Sequence, residues 1–203
     1  GLALLAGLAA GALGVYVMET RSGNESAATN CPVRDTLRAA LDGAAKGEVA
    51  AMVALDKPFD ASAIAFKDTN GQDTSIGAMR GQSLLVNIWA TWCAPCRAEM
   101  PALDQLERQA GDESFAVVPI NVDMGDEAKP RDFYRETNLA TLPFFRDETM
   151  GVFNDLKRTG IAFGLPVTFL VDTEGCARAA MNGAAHWSSP DAFALVDALK
   201  AGG

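Results

Sequence analysis

Two cysteines separated by two residues, Cys93 and Cys96, are the side chains of this sequence best suited to chemistry. The apolar run 83–90 (SLLVNIWA) predicts a buried strand just before them, and the residues 94–110 predict a helix just after. A sulfur at a helix N-terminus lies near unpaired N–H groups and the positive end of the helix dipole, which favour a thiolate. We therefore expect Cys93 to be the nucleophile and Cys96 to resolve the mixed disulfide that Cys93 forms.

The competing interpretation of this spacing is that the two cysteines are one pair of ligands of a zinc site. A zinc cage needs a second pair of Cys or His ligands, and Cys31, Cys176 and the single histidine, His186, do not supply that spacing. We therefore expect no metal and no cofactor. His186 has no acid or nucleophile partner visible in the sequence, so no catalytic role is predicted for it.

Length and charge narrow the class of protein. The 203 residues, 49% of them hydrophobic, are enough for one domain of α/β class. Acidic residues outnumber basic ones by 26 to 17, giving a net charge of -9, and the basic residues are scattered. Nucleic acid is therefore not an expected partner.

The other elements are predicted from hydrophobic periodicity and from turn residues. The predictions are a helix at 34–45, a hairpin at 64–67 and 73–75, a strand at 115–122, a helix at 127–137, an insertion at 139–164 with a strand at 144–145 and a helix at 150–158, a hairpin at 166–172 and 176–181, and a helix at 189–201. The strand, helix and strand from 83 to 122 form a βαβ unit. We expect a central sheet flanked by helices.

The N-terminal residues 1–18 carry no charge. As a helix they would be roughly 27 Å long, close to the thickness of a bilayer core. We predict a transmembrane anchor at 1–18, a linker at 19–30 and one domain at 31–203. A cleaved signal peptide is the alternative, although the nearest small-residue cleavage site, at 26–28, lies well beyond the apolar run.

The segment 87–101, NIWATWCAPCRAEMP, resembles the thioredoxin superfamily, and within it the membrane-anchored TlpA/ResA/CcmG type of extracytoplasmic thiol:disulfide oxidoreductase, the TlpA branch above all. The resemblance covers roughly 63–200 and includes Pro101 in the helix. It also includes the segment 164–168, GLPVT, which matches the cis-proline loop of that family. It implies a thioredoxin fold with a mixed sheet, extended at the N-terminus by a hairpin and a helix and interrupted by a central insertion.

The resemblance also assigns the site. It implies that Pro166 is cis and shapes the site beside the sulfurs, and that the backbone of Leu165 binds an extended substrate. An ordinary trans proline at the start of a strand is the alternative. Trp92 is expected to form a docking surface with Ala94 and Pro95.

Typical thioredoxins carry a buried aspartate where this sequence has Asn87, which cannot titrate. Glu99, three residues after Cys96 and on the same face of the helix, is the candidate for proton transfer, as in the ResA-like branch. A solvated surface carboxylate is the alternative for Glu99. Arg97 is expected either to favour the thiolate and steer an acidic partner, or simply to be solvated.

Cys31 and Cys176 would join in an oxidising compartment and would stay as unpaired thiols in the cytoplasm. The resemblance implies that Cys31 and Cys176 form a disulfide. The resemblance also implies a single-pass protein of the bacterial cytoplasmic membrane whose catalytic domain lies in the periplasm.

The resemblance implies an enzyme that reduces protein disulfides and receives electrons from a transmembrane donor. Ala94 and Pro95 add no charge between the cysteines, which favours a reductant over an oxidant. The clients implied are copper-delivery proteins and cytochrome c oxidase subunit II during oxidase (cytochrome aa3) biogenesis. Apocytochrome c or its partners in cytochrome c maturation are the alternative clients. A Sco-like copper chaperone is an alternative from another functional class. It is disfavoured because copper binding on this fold requires a CxxxC and a distal histidine. A peroxidase is a further alternative function.

Overall fold

The computed structural model describes residues 31–202. The predicted anchor at 1–18 and linker at 19–30 lie outside the described residues. Within the described part, the helices are all too short or too polar to cross a membrane.

The described chain contains both helices and strands. The helices are α1 (Asp35–Ala44), α2 (Ala94–Ala110), α3 (Ala128–Thr137), α4 (Gly151–Arg158) and α5 (Pro190–Ala201), with short 3₁₀ turns at Gly47–Val49 and Ile76–Met79. The strands are β1 (Val53–Asp60), β2 (Ala65–Lys67), β3 (Asp73–Ser75), β4 (Ser83–Trp89), β5 (Phe115–Asn121), β6 (Phe145–Arg146), β7 (Val167–Val171) and β8 (Cys176–Asn182).

One mixed sheet joins these strands in the order β1-β8-β7-β4-β5-β6-β2-β3. The β4–β5 and β5–β6 pairs are parallel, and the other neighbours are antiparallel. Helix α2 makes the crossover from β4 to β5 that a parallel pair requires. The predicted α/β fold with a mixed central sheet is confirmed.

Strand β4 positions the cysteines. All seven of its residues are buried, as its apolar sequence predicts for a strand covered on both faces. Its carboxyl end lies beside the amino end of β7, where Ile88 pairs with Val167. The chain leaving β4 toward Cys93 is therefore brought next to the chain entering β7 at Pro166.

Most predicted elements are confirmed to within two residues of their ends, but β1 was not predicted. It is an edge strand with four exposed or charged positions and a proline, Pro58, so its sequence lacks the apolar alternation that marks a half-buried strand. The short strand predicted at 144–145 is shifted by one residue, to Phe145–Arg146. Its parallel pairing with β5 makes the insertion part of the main sheet.

Candidate active site

Cys93 and Cys96 form a disulfide at the N-terminus of α2. Cys93 is the N-cap residue, and its Sγ atom accepts a hydrogen bond of 3.2 Å from the backbone N–H of Cys96. Cys96 is fully buried whereas Cys93 keeps 6% of its surface exposed. Cys93 is thus the sulfur that a partner can reach, and the helix offers its thiolate a backbone donor.

The peptide bond between Leu165 and Pro166 is cis. The Pro166 carbonyl accepts a hydrogen bond of 2.8 Å from the N–H of Gly183, which fixes the turn before β7. Leu165 itself is half-buried. The loop at the amino end of β7 therefore presents residue 165 at the same end of the sheet as Cys93.

Glu99 is buried, with 3% of its surface exposed, so the alternative of a solvated surface carboxylate is wrong. Its Oε1 atom accepts a hydrogen bond of 2.8 Å from Nδ2 of Asn87. Its Oε2 atom accepts two more, one of 2.8 Å from the indole N–H of Trp187 and one of 3.0 Å from the backbone N–H of Ala185. Asn87 also donates to Oγ1 of Thr168, so β4, β7, α2 and the loop before α5 meet at this carboxylate.

Burial raises the pKa of Glu99 to about 7, and the hydrogen bonds from Asn87, Trp187 and Ala185 oppose this rise because they stabilise the charged form. A carboxyl group with a pKa near 7 gains and loses a proton readily at neutral pH. Glu99 follows Cys96 by three residues, so the two side chains lie on the same face of α2.

Large apolar side chains are exposed in the segments after β4, after β5 and before β7. Trp92 is 63% exposed, Met124, which follows β5, is 72% exposed, and Phe163, which precedes the cis-proline loop, is 78% exposed. Trp89 is fully buried against Phe133 and Tyr134 of α3. The two tryptophans before the cysteines therefore differ, one being a surface residue and the other core.

Sequence reasoning missed a set of hydrogen bonds that holds the chain just before Cys93. Asp123 accepts a hydrogen bond of 2.9 Å from the Thr91 N–H and one of 3.0 Å from its hydroxyl. Asp123 is itself held by the side-chain amide of Asn121, at 2.7 Å, and its carbonyl accepts from Arg146. The chain two residues before Cys93 is thus fastened to the end of β5 and to β6, which no local spacing predicts.

The remaining cysteines, Cys31 and Cys176, form a second disulfide across a separation of 145 residues. The buried Arg178 lies beside it and bonds to Oδ2 of Asp172 and to the Pro32 carbonyl, each at 2.6 Å. The start of the described chain is therefore joined to β8 by a covalent bond and by hydrogen bonds.

Asp172, Glu174 and Cys176 bring potential metal-ligating atoms within 4.8 Å of one another. However, the sulfur is bound in a disulfide, and Arg178 and Arg34 already pair with the two carboxylates. This cluster does not suit a metal ion. His186 is exposed, with its ring 3.2 Å from the Ser188 hydroxyl.

Comparison with known proteins identifies the family to which the chain belongs. The model of the Redoxin family matches residues 54–196. The thioredoxin-like protein YneN of Bacillus subtilis is 31% identical over 54% of this chain and 61% of its own, and the thiol-disulfide oxidoreductase ResA of the same species is 26% identical over 57% and 62%. The chain therefore spans less than two thirds of the length of either relative.

Among solved structures, the thioredoxin domain of a thiol-disulfide oxidoreductase from Bacteroides vulgatus superposes with a TM-score of 0.56. It is 25% identical, and the match covers 68% of this chain and 92% of that domain.

Proposed function

This chain belongs to the Redoxin family, and we propose that it is a thiol:disulfide oxidoreductase of the TlpA/ResA/CcmG type. The observation that carries the proposal is the Cys93–Cys96 disulfide at the N-terminus of α2, at the end of the sheet where Pro166 enters β7. The exposed Trp92 supports a polypeptide partner, because a large apolar side chain in water favours contact with an apolar surface.

In the proposed reaction the reduced pair donates two electrons to a disulfide of the partner. The Cys93 thiolate attacks one partner sulfur, the partner disulfide breaks, and one partner thiolate leaves. Cys96 gives its proton to the Glu99 carboxylate and attacks Cys93, which breaks the mixed disulfide. The second partner thiolate leaves and takes up a proton, and the 93/96 disulfide remains.

The direction we propose is reduction of the partner. Ala94 and Pro95 place no cation between the cysteines, so the helix N-terminus is the main stabilisation of the thiolate. The buried Glu99 carboxylate, when ionised, opposes a second negative charge on Cys96. Both features disfavour the dithiolate and so favour the disulfide, which makes the reduced pair an electron donor.

We propose an extracytoplasmic location, supported by the Cys31–Cys176 disulfide, because such bridges persist in oxidising compartments. The uncharged segment 1–18 would anchor the domain at the bacterial cytoplasmic membrane, and a transmembrane donor would re-reduce the pair. As clients we propose copper-delivery proteins and cytochrome c oxidase subunit II, with apocytochrome c thiols as the alternative.

The reduction potential tests this proposal. We would equilibrate the protein in dithiothreitol or glutathione buffers and count thiols by alkylation, with Cys93→Ser as the inactive control. A potential well below the glutathione range for one pair, with a second pair that resists reduction, supports a reductant with a structural bridge. A potential near that of strong oxidants overturns the proposed direction.

The clients need a separate test. Cys96→Ser should trap a mixed disulfide between Cys93 and a partner, because the resolving step is blocked. Trapped oxidase subunit II or a copper-delivery protein supports the first set of clients. A trapped apocytochrome c supports the alternative.

A further inference from the structure

The loop between β8 and α5 reaches into the active site through one side chain, that of Trp187. Its indole is fully buried, and its Nε1 atom donates a hydrogen bond of 2.8 Å to Oε2 of Glu99. The backbone N–H of Ala185, in the same loop, donates to the same oxygen at 3.0 Å. Trp187 lies 88 residues from Glu99 in the sequence, so this contact exists only in the folded domain.

The two oxygens of Glu99 have different surroundings. Oε2 accepts from two N–H groups, and neither an indole nor a backbone amide can accept a proton in return. Oε1 accepts from Asn87 alone. A proton on Oε2 would displace at least one of its two donors and would find no acceptor among them, whereas Oε1 faces a side chain that has an acceptor.

The side-chain amide of Asn87 is able to form a hydrogen bond with Oε1 whether that oxygen is ionised or protonated. Within the described residues its Oδ1 atom is buried without a hydrogen-bond partner, while Nδ2 donates to Glu99 and to Thr168. A half-turn of the amide would bring Oδ1 to the place of Nδ2, where it would accept a hydrogen bond from protonated Oε1 and from the Thr168 hydroxyl. In that orientation Nδ2 takes the place where Oδ1 has no partner, so one end of the amide is unpartnered in either state.

We propose that Trp187 is a positioning residue for the proton of Glu99: with the Ala185 amide it occupies Oε2, so that the proton is bound and released at Oε1, beside Asn87. This inference deepens the proposed thiol:disulfide exchange and rests on it. In the exchange, the proton leaves the Cys96 thiol for Oε1 as Cys96 attacks Cys93, and it leaves Oε1 for the departing partner thiolate.

The charges around Glu99 are few. Burial raises the pKa of Glu99, and the donors from β4 and from the β8–α5 loop oppose that rise. Thr168 on β7 is neutral, and the titratable group nearest in the loop sequence, His186, is exposed and bonded to Ser188. On α2 itself, Cys96 lies three residues before Glu99 and is held in the disulfide, where it does not titrate, and Arg97 is exposed on the first turn.

The test is infrared spectroscopy of the oxidised full-length protein as a function of pH, with Glu99→Gln subtracted to isolate the Glu99 carboxyl signal. Trp187→Phe should raise the titration midpoint by about one pH unit, since one hydrogen bond to a charged acceptor is worth on the order of tenfold in an equilibrium. It should also raise the C=O stretching frequency of protonated Glu99, because the carbonyl oxygen Oε2 loses a donor.

Trp89→Phe is the matched control. Trp89 is also fully buried, but its Nε1 has no hydrogen-bond partner within the described residues, so this change removes similar volume without removing a bond to Glu99. An unchanged midpoint in Trp187→Phe, or equal shifts in both variants, would overturn the proposal. A midpoint shift without a change in the C=O frequency would overturn the assignment of the proton to Oε1.

Should Trp187→Phe not fold, the wild-type protein gives the answer by NMR. The indole N–H resonance of Trp187 should move with the same midpoint as the Glu99 carboxyl carbon, because its acceptor changes charge. A resonance that stays constant across that pH range would overturn the proposal. Failure of the wild-type protein to reduce any protein disulfide would refute the proposed function while leaving the result for Trp187 intact.

Discussion

The side-chain amide of Asn87 lies 2.8 Å from Oε1 of Glu99 and links the middle of the central strand to the active-site helix. Asn87 cannot titrate, so the buried acid of this site is supplied by the helix rather than by the strand. Glu99 is only 3% exposed, and burial raises its pKa to about 7.

The free energy of unfolding of the wild-type protein, relative to that of Glu99→Gln, should rise as the pH falls from 8 to 5. The pKa of Glu99 is about 7 in the folded protein, against an ordinary value of 4.5. Between these values the folded state binds more protons than the unfolded state, so stability rises as the pH falls through this window. The full effect is about 3 kcal/mol.

Urea unfolding of the oxidised proteins at several pH values measures this difference. Glu136→Gln, a change at an exposed glutamate, is the control and should follow the wild type. If the stability curves of wild type and Glu99→Gln run parallel, Glu99 does not carry the raised pKa.

Removal of the Asp104 carboxylate should destabilise the fold by about 2 to 4 kcal/mol. Asp104 is buried in α2, and its Oδ1 accepts from the N–H groups of Thr141 and Leu142, at 2.7 and 3.0 Å. Asp104→Ala leaves both amides without an acceptor. Arg108→Ala removes only the exposed partner of Oδ2 and should change stability by less than about 0.5 kcal/mol. Chemical denaturation of both variants compares them, and equal losses would contradict the assignment.

Loss of the second disulfide should lower stability without abolishing exchange at the first. Replacing both Cys31 and Cys176 by serine opens a loop with a separation of 145 residues, worth about 5 kcal/mol in the chain-entropy model. The 93/96 pair lies at the N-terminus of α2 and should keep its reduction potential. Thermal unfolding and the potential of the double variant are the two measurements. A shifted potential would mean that the two disulfides are coupled.

Trp92→Ala should slow exchange with protein disulfides about tenfold and leave exchange with a small disulfide unchanged. Trp92 is 63% exposed, so it adds contact area to a docked polypeptide but little to the core. Stability should change by less than about 0.5 kcal/mol. Stopped-flow rates with a peptide disulfide and with oxidised dithiothreitol separate the two effects. Equal slowing with both substrates would place Trp92 in the chemistry rather than in docking.

Local sequence signals predicted most of the fold because they depend on neighbouring residues. The apolar run of β4, the helix after the cysteines and the Ser189 N-cap with Pro190 at the start of α5 all lie where their sequences indicate. The edge strand β1 was missed because only Ala54 of its eight residues is buried, so burial does not impose an alternating apolar pattern on its sequence.

The reactive pair could be predicted from residues 83–110 alone, since a CxxC between a buried strand and a helix is a local pattern. Glu99 could be predicted as the acid because it lies three residues after Cys96. The packing of the whole domain buries Glu99, brings Trp187 and Asn87 to its two oxygens, and joins Asp123 to Thr91. These contacts join residues up to 88 positions apart, and their strength comes from the removal of water in the packed core, which no local spacing encodes.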